Sequence, residues 1–276
     1  MKVQVSDILE GLNYVAPFAL AESWDNVGLL IGDSEREVHS LLFALDPTLS
    51  LIDEAVNRGI DTIITHHPCI FRPLPFVHTA TPGGAFLERA LARKINVIAC
   101  HTNFDCAADG VSDALGRLMG LQDLRPLRPV SLSSDEKMGL GRIGEFDNAL
   151  SFTEFMQRLF QAVASHHVQL AGPKPSEIQC VAICGGSGSD LAEEAFAQHA
   201  HVYISSEIKH STAVWAEETG FCVIDATHYG TEKPAMRLLE EKLGTYGQQQ
   251  GWDVEIHLTK TEKAPFLYIT EDNYTE

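Results

Sequence analysis

The sequence predicts an α/β fold with two α/β domains, and three observations predict it. Strand-like apolar runs alternate with stretches of helical period in both halves of the chain, the order that builds sheets flanked by helices. Residues 40–65 hold a complete strand–helix–strand unit. The length of 276 residues exceeds what one small core organises and suits two medium domains. We expect mixed or parallel sheets flanked by helices, with a first domain over residues 1–125 and 221–276 and a second over residues 126–220.

Taken in order, Ser6 can cap a helix in which Ile8, Leu9, Leu12 and Val15 recur at helical spacing and Asp7 and Glu10 meet the positive end of the dipole. That helix should end near Pro17. Residues 24–33, WDNVGLLIGD, read as a loop and a short strand, and residues 40–45 as a second strand. Over residues 48–58, Leu49, Ile52, Ala55 and Val56 share one face, and Gly59 closes the helix. The strand over residues 61–65 carries β-branched Ile63 and Ile64 and is bounded by Gly59 and Pro68. After a Pro-rich segment at 69–82 come a helix at 86–94, a strand at 95–100 and a helix at 111–119. Pro126, Pro129 and clustered serines place the domain boundary within 122–135. The second half reads as strands at 141–146, 178–184, 201–204 and 221–224, with helices at 152–163 and 191–198. A helix at 233–243 and strands at 254–258 and 266–269 close the chain.

Composition bounds what such a protein does. The net charge of −18 argues against non-specific nucleic-acid binding, which draws its affinity from Lys and Arg displacing phosphate counterions. No run of 18 apolar residues exists to span a membrane, and the amino terminus lacks the apolar core of a secretory signal. Six cysteines without a CxxC pair do not form a disulfide framework, so a cytoplasmic location is expected.

Five strand ends carry polar clusters: His66-His67, HTNFD at 101–105, GGSGSD at 185–190, SSEIKH at 205–210 and HYGTE at 228–232. In open α/β sheets, ligands collect outside the carboxyl ends of strands. Imidazole and carboxylate together are the donor set for Zn, Fe, Mn, Co or Ni. A metal site is therefore expected at the strand carboxyl ends, in the crevice between the domains. Adjacent residues of an extended chain point to opposite sides, so His66 and His67 suit one ion each better than a shared one. Asp105 is placed to serve one of them, and His228 and Glu232, four apart, share a face of a helical turn, with Glu232 able to bridge two divalent ions. Five protein ligands leave open positions on two ions, as a catalytic site requires. His101 is either a sixth ligand or an acid/base partner. The GGSGSD amides are either an anion cradle or a tight turn, and Lys209 can neutralise a phosphate. Cys69, Cys100 and Cys106 read as small buried hydrophobes, and His166-His167 as surface.

With THHP, HTNFDCAADGVSDAL, CGGSGSD, SSEIKHS and DATHYGTE in this order, and WDNVGLLIG near the start, the chain resembles the NIF-three-like dinuclear-metal proteins, also called the GTP cyclohydrolase 1 type 2 family. The resemblance covers nearly the whole length. It implies a two-metal site made by His66, His67, Asp105, His228 and Glu232, and a homohexameric toroid with its sites facing an inner cavity. It also implies a metal-dependent hydrolase in which activated water attacks the guanine ring of GTP and formate is lost. His101 would then move protons, while Lys209 and the GGSG amides would hold the triphosphate. A dinuclear phosphohydrolase, or a metal-binding scaffold without catalysis, is the alternative. The chain departs from the family pattern at Ser206-Glu207, where Gly-Asp is usual, and at Tyr229-Gly230, where an aromatic-Glu pair is usual. Longer members insert a domain for which this chain has no room.

Overall fold

A computed structural model of the chain describes residues 2–130 and 136–269. Its first half runs α1 (Val5–Val15), β1 (Gly28–Ile31), β2 (Ser40–Ala44), α2 (Leu49–Arg58), β3 (Thr62–Thr65), α3 (Pro82–Arg93), β4 (Asn96–Ala99), α4 (Thr102–Cys106) and α5 (Val111–Met119). The second half runs β5 (Gln122–Pro129), β6 (Gly139–Ser151), α6 (Phe152–Val163), β7 (Gln169–Ala171), β8 (Glu177–Ser187), α7 (Ala192–Ala197), β9 (Val202–Ser206), α8 (His210–Thr219), β10 (Cys222–Asp225), α9 (His228–Gln250) and β11 (Glu255–Leu258).

Two mixed sheets result. The first has the order β1-β4-β3-β2-β11, parallel throughout except for β1 at one edge. The second has the order β5-β6-β8-β9-β10-β7, with a parallel centre of β8, β9 and β10. Helices α5 and α9 fill the space between the sheets. Val111, Ala114, Met236 and Leu239 pack toward the first, and Leu115 and Met119 join the α6 residues Phe155 and Leu159 against the second. Outside, α2 and α3 cover the first sheet through Ile52, Ala55, Phe86 and Ala90, and α7 and α8 cover the second through Ala195 and Ala216.

Most expected elements are present, and the differences have local causes. The first helix starts at Val5, and Ser6 lies inside it, because the Asp7 carboxylate closes the helix end by accepting from the Gln4 amide at 2.7 Å. The breakers Pro126 and Pro129 belong to β5, an edge strand, where a missing N–H costs no ladder bond. Residues 131–135 of the expected boundary lie outside the described residues. Strand pairing puts Cys222–Asp225 in the second sheet beside β9, although this segment was expected with the first domain. Gly230 and Pro234 disguise the opening turns of α9, which starts at His228 rather than at 233. Residues 266–269 form no strand but an exposed segment, with Leu267 at 85% exposure. Helix α8 escapes sequence reading because it has no apolar stripe, and only Ala216 is fully buried.

One buried ion pair ties the sheets together. Arg142 of β6, 1% exposed, reaches the Asp113 carboxylate of α5 at 2.8 Å and donates to the backbone carbonyls of Ala107, Gly139 and Gly141. The α4–α5 corner is thereby fastened to the second sheet. Among the described residues, no helix is long and apolar enough to cross a membrane.

Candidate metal centre

The five strand-end residues converge. β3 hands the chain to His66 and His67 with its ladder intact, since their amides still bond to the Ala44 and Leu45 carbonyls at 3.1 and 2.9 Å. The Thr65 hydroxyl then bonds to the His67 carbonyl at 2.7 Å and turns the chain back. β4 ends one residue before Cys100, and Asp105 lies on the short α4 that follows. His228 and Glu232 occupy the first turns of α9, directly after β10. The N-cap of α9, Thr227, sits at φ 68, a left-handed conformation that L residues hold only when the surroundings enforce it. The first sheet thus supplies two histidines and an aspartate, and the second supplies the helix that brings a third histidine and the glutamate.

These side chains form two groups that share Glu232: His66, Asp105 and Glu232 in one, His67, His228 and Glu232 in the other. In the first, His66 Nε2 is 3.6 Å from Asp105 Oδ1 and 3.7 Å from Glu232 Oε1. In the second, Glu232 Oε2 is 3.1 Å from His67 Nε2 and 3.0 Å from His228 Nε2, and the two nitrogens are 3.3 Å apart. Each oxygen of one carboxylate therefore faces a different group.

The remote ring nitrogens decide what the facing ones can do. His66 Nδ1 is 2.9 Å from the Cys100 carbonyl oxygen, which only accepts, so Nδ1 carries the proton and Nε2 presents a lone pair. Likewise His67 Nδ1 meets the Asp46 carboxylate at 2.7 Å and His228 Nδ1 meets Glu207 at 2.9 Å. Imidazoles held from behind by a carboxylate or a carbonyl are how proteins present nitrogen to a metal. The donors also fit on two physical grounds. His66 Nε2 and Asp105 Oδ1 are buried without a hydrogen-bond partner, which costs about 1–3 kcal/mol each unless a cation satisfies them. Ligands held at about 2.1 Å on a tetrahedral ion stand about 3.4 Å apart, close to the observed separations of 3.0–3.7 Å.

Electrostatics follows the same geometry. Burial and the nearby Glu232 push Asp105 up to about 7 against the pull of His66 and His67. Burial disfavours the charged form of Glu232 too, but the three imidazoles overcome it and hold that carboxyl well below its usual range. Burial opposes protonation of His67 and His228, yet bonds to Asp46 and Glu232 raise the first to about 10, and bonds to Glu232 and Glu207 raise the second to about 9. Protons and metal ions compete for the same lone pairs.

Glycine is required at one wall. Gly186 of the GGSGSD run sits at φ +68, and a Cβ there would stand 2.1 Å from Glu232 Oε1. The run's first three residues, Gly185 to Ser187, continue β8, and Gly188 then leads into a 3-10 turn over Ser189–Leu191. The Gly185 amide donates to Ser112 Oγ at 3.1 Å and the Gly186 amide to Thr231 Oγ1 at 3.0 Å. The expectation that the amides of this run cradle a triphosphate is corrected for Gly185 and Gly186, because those two donors serve the second sheet's link to α5 and α9. Lys209 heads α8, exposed, with its amide bonded to Ser189 Oγ at 2.9 Å. No ion pair or hydrogen bond joins its ammonium group to the cluster among the described residues. His101 does face the cluster, its ring 5.1 Å from that of His66 and 5.6 Å from that of His67, and its Nδ1 is 2.9 Å from Asp25 Oδ1. Asp25 is held below the ordinary carboxylate range; burial opposes this, but bonds from His101 and Thr102 prevail.

Three residues that orient the histidines were not singled out for that role: Asp25, Asp46 and Glu207. Asp46 stands two residues after β2, so the strand-end rule that found His66 also points to it. Glu207 holds His228 from a backbone at φ 53. The nearby thiols of Cys69, Cys100 and Cys106 are pushed up to about 12 by burial and behave as packing groups.

Comparison with known proteins agrees with this architecture. A Streptomyces coelicolor protein named GTP cyclohydrolase 1 type 2 homolog is 32% identical over 266 residues, covering 95% of this chain and 93% of its own. One of the same name from Methanocaldococcus jannaschii is 31% identical over 247 residues, covering 88% and 96%. Among solved structures, a Staphylococcus aureus hypothetical protein superposes with a TM-score of 0.90 at 29% identity, covering 98% of this chain and 100% of its own. Reduced HcgD from M. jannaschii superposes with a TM-score of 0.78 at 30% identity, covering 94% and 99%. The family model for Duf34/NIF3 (NGG1p interacting factor 3) matches residues 3–265. On that match, which takes in both sheets and every residue of the cluster, the chain belongs to the Duf34/NIF3 family.

Proposed function

We propose that this protein is a metal-dependent hydrolase of the GTP cyclohydrolase type, using two divalent cations. His66, Asp105 and Glu232 would hold one ion, and His67, His228 and Glu232 the other. Bound there, the cations would lower the pKa of a coordinated water toward ~7 and polarise the substrate. The observation that carries the reading is the sharing of Glu232 between two groups whose buried ligand atoms include two, His66 Nε2 and Asp105 Oδ1, without a hydrogen-bond partner.

The chain's own residues supply the rest of the chemistry. His101, hydrogen-bonded through Nδ1 to Asp25, presents Nε2 beside the cluster, where it can take a proton from an attacking water and return it to a leaving nitrogen. Asp25 fixes that tautomer and is itself fixed by the Thr102 hydroxyl and amide at 2.5 and 3.1 Å. Lys209, on the rim two residues after Glu207, is available to a phosphate chain. The names of the relatives support a guanine nucleotide as substrate; opening of its ring by water would release formate. A shared carboxylate between two cations equally suits phosphoester hydrolysis, which is the second reading. We further propose that the protein works as a homohexamer in the cytoplasm.

Metal-loaded protein incubated with GTP and followed for both formate and phosphate tests this. Formate release that disappears in His228→Ala supports the cyclohydrolase reading. Phosphate release that disappears in the same variant replaces it with the second reading. Metal binding with neither product leaves a scaffold.

A further inference from the structure

We propose that Trp24 and Phe71 form a binding platform for a planar heterocyclic ring at the mouth of the cluster, so that the ligand's ring system, rather than its phosphates, is what the protein grips there. Trp24 is 57% exposed and Phe71 40% exposed. Their rings meet edge to face at 5.7 Å, and each also meets the ring of His101, at 6.4 and 6.1 Å. An aromatic corner therefore stands directly against the imidazole that borders the metal-ligating groups.

The corner is built, not incidental. The loop bearing Trp24 is fastened on both sides of it: the Glu22 amide donates to Thr102 Oγ1 at 3.0 Å, and Asp25 holds His101 and Thr102. Asn26 then donates to the Ile70 carbonyl at 2.5 Å, tying this loop to the segment that carries Phe71. Fixing a loop this firmly while leaving its largest apolar side chain in water forgoes the burial an indole ordinarily obtains. An exposed, immobilised aromatic face beside a reactive centre is what stacking of a flat ligand uses, because every heterocyclic base has a π-face. The Arg72 guanidinium lies 5.6 Å over the Phe71 ring and adds positive charge to the same rim of a strongly acidic chain, suited to an anionic tail on the ligand.

The proposal rests on the preceding reading only for the identity of the ring, since stacking itself needs no metal. Equilibrium dialysis of the full-length protein, metal-loaded and chelator-treated, with guanosine, GTP and inorganic tripolyphosphate separates the two. Trp24→Ala and Phe71→Ala are each expected to weaken guanosine and GTP binding about tenfold, to leave tripolyphosphate binding unchanged, and to keep wild-type metal content by elemental analysis. Trp24→Phe, which keeps a π-face, is expected to restore most of the affinity. Unchanged guanosine affinity in Trp24→Ala overturns the platform, whether or not formate is released. So does a variant that loses affinity for tripolyphosphate equally, or one whose only change is in oligomeric mass. If the wild type binds guanosine through Trp24 but releases no formate, the platform stands and the cyclohydrolase reading falls.

Discussion

Replacing Asp46 tests the two-group arrangement most directly, because Asp46 acts on one group only. Its carboxylate accepts from His67 Nδ1 at 2.7 Å, while the counterpart role behind His66 belongs to the Cys100 main-chain carbonyl, which no substitution removes. The backbone at this point is held independently, since Glu262 accepts from the Leu45 and Asp46 amides, both at 2.8 Å. Asp46→Asn therefore removes a charge without moving the end of β2. A charge-assisted bond is roughly twice as strong as a neutral one, and losing an outer partner of a ligating histidine costs about 10- to 100-fold in metal affinity. We expect about tenfold for Asp46→Asn and about 100-fold for Asp46→Ala, or ~1.4 and ~2.7 kcal/mol. Glu207→Gln should repeat the effect through His228, and the double variant should compound it on the same ion. In a chelator titration followed by elemental analysis, one equivalent of metal should leave early and the other at the wild-type chelator concentration. Release of both equivalents together, or a wild-type profile, would refute the assignment of His67 and His228 to one ion and His66 to another.

Other outcomes follow from the same coordinates. Gly186→Ala should fold but lose metal, because its Cβ would intrude on Glu232 Oε1 and its backbone at φ +68 costs an L residue about 1–2 kcal/mol; elemental analysis and circular dichroism read the two effects separately. Arg142→Met should lower stability by about 3–5 kcal/mol in denaturant unfolding, since it leaves the Asp113 carboxylate buried without its ion-pair partner. Glu54 accepts from Arg58, Thr259, Thr261 and the Lys260 amide; burial opposes ionisation, but these bonds lower its pKa to about 2. A depressed carboxyl stabilises the fold above its unfolded pKa of 4.5 and loses that contribution as pH falls toward about 2. Glu54→Gln should therefore be about 2–3 kcal/mol less stable than wild type at pH 7 and show a flatter stability profile between pH 4.5 and 2, and equal slopes in thermal melts would contradict this.

Periodicity and punctuation were enough to determine the α/β class, the helices at Leu49–Arg58 and Phe152–Val163, and the placement of His66, His67 and Asp105 at strand ends. These are local properties: a strand ends where Gly or Pro ends it, and a residue following a strand stands at the edge of its sheet whatever else the chain does. The i, i+4 spacing of His228 and Glu232 carried the same information through helix geometry, and the ordered motifs carried the family. Which groups face each other was decided only in three dimensions. Nothing local tells that Glu232 turns one oxygen to each histidine group, that Asp46 and Glu207 stand behind His67 and His228, or that Gly186 makes room for the Glu232 carboxylate. Those pairings join residues up to 166 positions apart across two sheets, and they exist because Arg142, α5 and α9 hold the sheets in one register.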